Sequence, residues 1–116
     1  MKIFKFNKEV GKHITKFDSN FIMSQIVNTE SPAHIGCMYL EAKGKIAYHQ
    51  AVIPQLLLVL SGKGGVCGED KEVVTVEEGN AVFREQGEWH ETITEQGLTA
   101  VVIESKGLDP SVMRPR

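Results

Sequence analysis

The sequence has only two cysteines, Cys37 and Cys67, in 116 residues. A disulfide scaffold is therefore not expected, and reduced, buried side chains are the expectation for both. Long apolar runs are also missing. The longest, Leu56 to Leu60, is far too short to cross a bilayer as a helix, so no membrane partner is expected. The opening MKIFKFNKEVGK lacks the apolar stretch and small-residue cleavage site of a secretory signal, and a cytoplasmic address is the expectation that remains. Net charge is only −2, with no cluster of Lys and Arg, so nucleic acid is not an expected partner. The spaced Lys2, Lys5, Lys8, Lys12 and Lys16 read as the wet face of two strands. A sustained apolar period of 3.6 is absent throughout, which argues against a helical core.

The chain is rich in strand signals. MKIFKF, FIMSQIVN, IGCMYLEA, QLLLVL, EVVTV, NAVF, WHETIT and LTAVVIE carry apolar and β-branched residues, and turn groups such as GED, EEG, EQGE and EQG separate them. Strands recurring roughly every 8 to 12 residues indicate an all-β sandwich or barrel in one domain, 1–116. Residues 1–30 are expected to supply N-terminal strands and 35–104 the core. The tail 107–116, with two prolines, reads as an extended or frayed arm. SGKGGVCGED lacks the Gly-Lys-Ser/Thr ending of a phosphate loop and reads as a β-turn.

Strand parity sorts the polar residues. In QLLLVL, Gln55, Leu57 and Val59 share one face and Leu56, Leu58 and Leu60 the other. Both rows are largely apolar, so one should fill the barrel while the other is covered by a second layer or a second subunit. Glu88, His90, Thr92 and Thr94 likewise share a face, opposite Trp89, which is expected in the outer layer. His13 and His34 read as surface or hydrogen-bonded strand residues.

Gly44 to Gly62, followed by Gly79 to Thr94, resembles the two motifs of the cupin superfamily, small barrels of the jelly-roll type. His49 takes the place of the first motif's leading histidine, Gln55 that of its glutamate and Gly62 that of its glycine. Ala51 stands where a second histidine is usual. In the second motif Gly79, Gly87 and His90 match, whereas Glu85 replaces a proline and Thr94 an asparagine. The resemblance implies a cupin-type jelly-roll β-barrel, and a twofold homodimer built on an outer sheet or on the N-terminal strand MKIFKF. It also implies a divalent transition metal, Fe, Mn, Ni or Zn, held by His49, Gln55 and His90.

Three readings of that cluster stand side by side. One is a weakened metal centre, since Ala51 and Gln55 remove an imidazole and a carboxylate from the donor set. Another is a metal-free, non-catalytic pocket in which His49, Gln55, His90 and Thr92 hydrogen-bond a small-molecule ligand. The third is a purely structural set of satisfied polar residues. Glu88 is open to two roles, an inward-swinging extra donor or a solvated turn residue. With Gln55 in place of glutamate, an anionic ligand meets no repelling carboxylate.

Overall fold

The computed structural model covers residues 1–116 and contains eleven strands. They are β1 (Lys2–Lys5), β2 (Lys12–Ile14), β3 (Phe21–Met23), β4 (Ala33–Leu40), β5 (Lys45–Gln50), β6 (Gln55–Cys67), β7 (Val74–Glu77), β8 (Asn80–Arg84), β9 (Trp89–Ile93), β10 (Leu98–Ser105) and β11 (Arg114–Pro115). The only helical elements are two short 3-10 turns, Lys8–Val10 and Lys16–Asp18. The all-β architecture expected from the turn spacing is what forms.

Every ladder is antiparallel. One sheet runs β11-β1-β8-β6-β10-β4, and β6 continues into a second layer where it pairs β7 and β9, with β5 beyond β9. The long strand β6 thus belongs to both layers. Its first half pairs β8 through Gln55↔Arg84 and Leu57↔Val82, and its second half pairs β9 through Gly65↔Ile93 and Val66↔Thr92. The passage between layers falls at Gly62, which has φ +83° opposite Leu98, next to a break in register between Thr99 and Ala100. A Cβ on Gly62 would run into the carbonyl oxygen of Gly97, so both the backbone angle and the space require glycine. SGKGGVC is therefore strand, and the turn expected there is confined to the residues that follow.

The parity read from QLLLVL holds. Leu57 and Val59 join Val66, Val76, Val82, Leu98, Ala100 and Val102 in the core between the layers. Leu56 and Leu58 face outward and pack with Phe4, Ala81, Phe83, Leu108 and Met113. Each such side chain contributes about 1.5–3 kcal/mol by leaving water. The cover over this outer row comes from the chain's own ends, which corrects the expectation of a frayed tail. Leu108 and Met113 are buried, Asn28 bridges Asp109, and β11 pairs β1. The prolines end strands there without freeing the segment, because the two apolar side chains anchor it.

Two further expectations change. Cys37 is exposed on β4, while Cys67 is buried; both are free thiols. MKIFKF forms β1, but its two edges are taken by β8 and β11 of the same chain, so it is not left as a pairing strand. The longest free edge belongs to β4, eight residues that pair only with β10 and expose Ile35 (69%) and Tyr39 (74%). FIMSQIVN is strand only over Phe21–Met23, in a hairpin with β2 that joins no other strand. No helix is long and apolar enough to cross a membrane.

Candidate functional site

The two motif histidines meet because β5 and β9 are neighbours. The ladder is irregular between Ile46 and His49, and it then sets His49 directly opposite His90. Their rings lie edge to face, with centroids 4.3 Å apart and an interplanar angle of 63°. His90, Thr92 and Thr94 are all buried, while Trp89 and Ile93 on the opposite face are exposed, as alternation requires. His49 sits at the exposed rim, its Nδ1 bonded to the carbonyl of Ala47 at 2.7 Å.

A residue outside the expected set dominates the interior. Arg84 ends β8 on the inward face that carries Val82, and it is only 1% exposed. Its Nη1 donates to Gln55 Oε1 at 3.5 Å and its Nη2 to Thr92 Oγ1 at 3.4 Å. Both bonds are long, and Nε has no partner. Burial lowers the guanidinium to about 10, a shift that the charge of Glu88 opposes, so the group stays charged at neutral pH. The chain's one salt bridge joins the N-terminal ammonium to Glu88, so no carboxylate pairs with Arg84. The sequence carried a signal for this: in NAVFR the arginine has the parity of a buried valine. Reading the strand only as far as Phe83 passes over it.

His90 is the second buried group. Its Nδ1 lies 3.2 Å from the carbonyl oxygen of Glu88, which can only accept, so Nδ1 carries the hydrogen. Burial, aided by the charge on Arg84, lowers its pKa to about 4. The ring is neutral at pH 7, and Nε2 presents a buried lone pair without a partner.

These donors make a poor divalent-metal site. No group of three or more His, Cys, Asp or Glu side chains is placed to hold a metal ion. The oxygen of Gln55 already faces a cation, and Arg84 adds a fixed positive charge beside the two imidazoles. Glu88, which might have compensated, has both oxygens engaged: Oε1 accepts from Glu85 N–H at 2.9 Å and Oε2 from the N-terminal ammonium at 2.8 Å. Burial would raise its pKa, but these hydrogen bonds outweigh that and hold it below the usual carboxylate value. It is a turn residue, half-buried.

The remaining motif positions are structural. Thr94 Oγ1 donates to Lys63 O and accepts from Gly97 N–H, which pins the turn before β10. Ala51 is buried, and its backbone clasps the 85–88 turn through Ala51 N–H to Glu88 O and Gly87 N–H to Ala51 O. Trp89 lies in the outer layer and stacks on Tyr48 at 5.4 Å, as its parity implied. His13 bonds Asn20 at the surface, and His34 is exposed. None of the principal surface clefts, 340 to 930 Å³, is lined by His49, Gln55, Arg84, His90 or Thr92.

No protein-family profile matches this sequence, and no curated protein does. Solved structures do match in shape. A cupin superfamily protein from Desulfitobacterium hafniense superposes with a TM-score of 0.60 at 9% identity, over 67% of this chain and 70% of that one. An RmlC-like cupin from Shewanella frigidimarina gives 0.60 at 15% identity, over 65% and 67%. A Streptococcus pyogenes protein of unknown function gives 0.59 at 19% identity, over 68% of each chain. Together with the two-layered sheet sharing β6, these likenesses identify the fold as the cupin jelly roll.

Proposed function

We propose that this chain binds a small anionic molecule inside its barrel without a metal, with Arg84 as the charged anchor. Gln55, Thr92 and His90 line the anchor and His49 stands at the rim. One observation carries this reading: the Arg84 guanidinium is 1% exposed, charged, and bonded only to neutral groups. A buried charge with no direct ion pair costs several kcal/mol, which the field of Glu88 eases only in part, and a bound anion offsets that cost. The role is binding, and no turnover step is assigned to any residue.

The competing reading places a divalent metal on His49, Gln55 and His90. The facing imidazoles favour it, and the neighbouring guanidinium opposes it. Metal content by plasma mass spectrometry, for the native chain and for His49→Ala, separates the two when joined to thermal stabilisation by propionate in a chelator. We expect no stoichiometric metal in either protein and stabilisation that survives the chelator. Near-stoichiometric metal that is lost in His49→Ala overturns the proposal.

Two further assignments follow the same logic. A twofold homodimer would pair the free edges of β4 antiparallel and cover Ile35 and Tyr39, an arrangement that a twofold axis allows without further change. Light scattering should give a dimer mass for the native protein and a monomer mass for Ile35→Lys/Tyr39→Lys; a native monomer at micromolar concentration refutes it. A cytoplasmic address suits two free thiols, one of them exposed.

A further inference from the structure

A free sheet edge is normally shielded by a charge, a proline, a bulge or simple shortness. The other edges of this chain have such protection. β5 opens on Lys45 and is irregular between Ile46 and His49, β7 is four residues long, and β11 is two residues ending on Pro115. β4 has none: its eight residues, AHIGCMYL, hold an unbroken register with β10 and include no Lys, Arg, Asp, Glu or Pro.

The direction of its backbone groups follows from the next strand but one. Ser105 N–H donates to Pro54 O at 3.2 Å, so Ser105 and, by alternation, Ile103 and Val101 aim their backbone at β6. Glu104, Val102 and Ala100 therefore bond to β4, through His34, Gly36 and Met38. Ile35, Cys37 and Tyr39 are left with N–H and C=O directed out of the sheet. Their side chains share the face opposite Met38 and Leu40, which pack on the core.

A twofold axis that pairs two copies of one strand antiparallel sets one residue opposite itself. Resting on the twofold dimer assigned above, we infer that this residue is Cys37. Ile35 of each copy then faces Tyr39 of the other, and the outward backbone groups of all three residues satisfy one another. A β-branched and an aromatic side chain meet twice, once on each side of the axis. An axis at Gly36 sets Tyr39 against Ala33, and one at Met38 sets Ile35 against Glu41. The flanks agree in charge. Antiparallel pairing brings exposed Glu30, the only charged residue in 28–32, beside segment 41–45 of the other copy, where Lys43 and Lys45 outnumber Glu41.

Diamide oxidation, read on a non-reducing gel beside light scattering, tests the register. Cys67 is buried, so Cys37 is the thiol within reach. Residues opposite one another in a hydrogen-bonded pair have Cα atoms about 5.5 Å apart, within the range of a disulfide. Diamide takes one hydrogen from each of the two Cys37 thiols and becomes a hydrazine, and the two sulfurs join. The native protein should give a linked dimer at a rate unchanged by dilution, while Ile35→Lys/Tyr39→Lys, which keeps Cys37, should lose it. Linking at the native rate in that variant overturns the inference. Cys37→Ser/Gly36→Cys should link more slowly than the native chain; a Cβ at position 36 has no atom within 4 Å, so the variant is free to fold. Faster linking there moves the axis to Gly36 and overturns the register while the dimer stands. A native dimer mass without a disulfide does the same. A native monomer mass removes the dimer and this inference with it.

Discussion

Arg84 stands directly across the β8–β6 ladder from Gln55 and donates to its side-chain oxygen at 3.5 Å, inside the barrel. Where the family motif has an acid, this chain has an amide, and where a metal would bring positive charge, it has a guanidinium. The two changes belong together. A glutamate at 55 would neutralise Arg84 and remove the charge that a ligand answers.

Gln55→Glu should therefore form a buried, charge-assisted pair with Arg84, shorter than the present contact. We expect affinity for propionate to fall by about tenfold or more, since the internal carboxylate occupies the guanidinium and repels an incoming one. Titration calorimetry on the folded variant reads this directly. Undiminished affinity would place the anion elsewhere.

His90 sets an acid limit on stability. Its proton is bound in the unfolded chain from about pH 6.5 and in the folded chain only near 4. Between those values the unfolded state holds more protons, so stability falls as pH drops from 7 to 4 and this contribution then levels, a loss of roughly 3 kcal/mol. Glu88, whose pKa is lowered on folding, adds a further loss at still lower pH. Urea midpoints at pH 7.5, 5 and 4 should show the slope, and His90→Phe should flatten the part above pH 4.

Gly62→Ala should destabilise the fold by about 2–3 kcal/mol, from the left-handed backbone angle and the collision with Gly97 O. The loss is expected in the urea midpoint. A change within about 0.5 kcal/mol would mean that β6 turns between the layers elsewhere.

Met113→Ala should cost about 2 kcal/mol, as for a methionine removed from a closed core. A tail that merely rests on the sheet would give almost no change in thermal midpoint.

Much of the fold was legible because its signals are local. Turn residues at short intervals and two-residue alternation mark the strands, and they put Leu56 and Leu57 on opposite faces. Which of the two faces the core is decided by the layers, since Leu57 joins Val66 and Val82 between them and Leu56 joins Phe4 and Phe83 outside. The pairing of His49 with His90 was legible from motif spacing. The destination of Leu108 and Met113 was not, because covering Leu56 and Leu58 is a contact between chain segments far apart in sequence. The run Ser61–Cys67 misled because glycines usually end strands; here they let β6 bend between layers and approach Ile93 and Leu98 closely. Arg84 escaped notice because charge at a strand end normally reaches water. Its alternation with Val82 puts that side chain on the inward face, and the position of β8 between β1 and β6 keeps the strand's end covered.

The most direct measurement compares propionate binding by chelated native protein and by Arg84→Gln, using titration calorimetry with the thermal midpoints of both. One site per chain in the native protein, no detectable binding in Arg84→Gln, and an equal or higher midpoint for the variant are the expected results, since a buried unpaired charge has been removed. Binding that persists in Arg84→Gln, or that appears in the native protein only after a divalent metal is added, would contradict the assignment of Arg84 as the anchor.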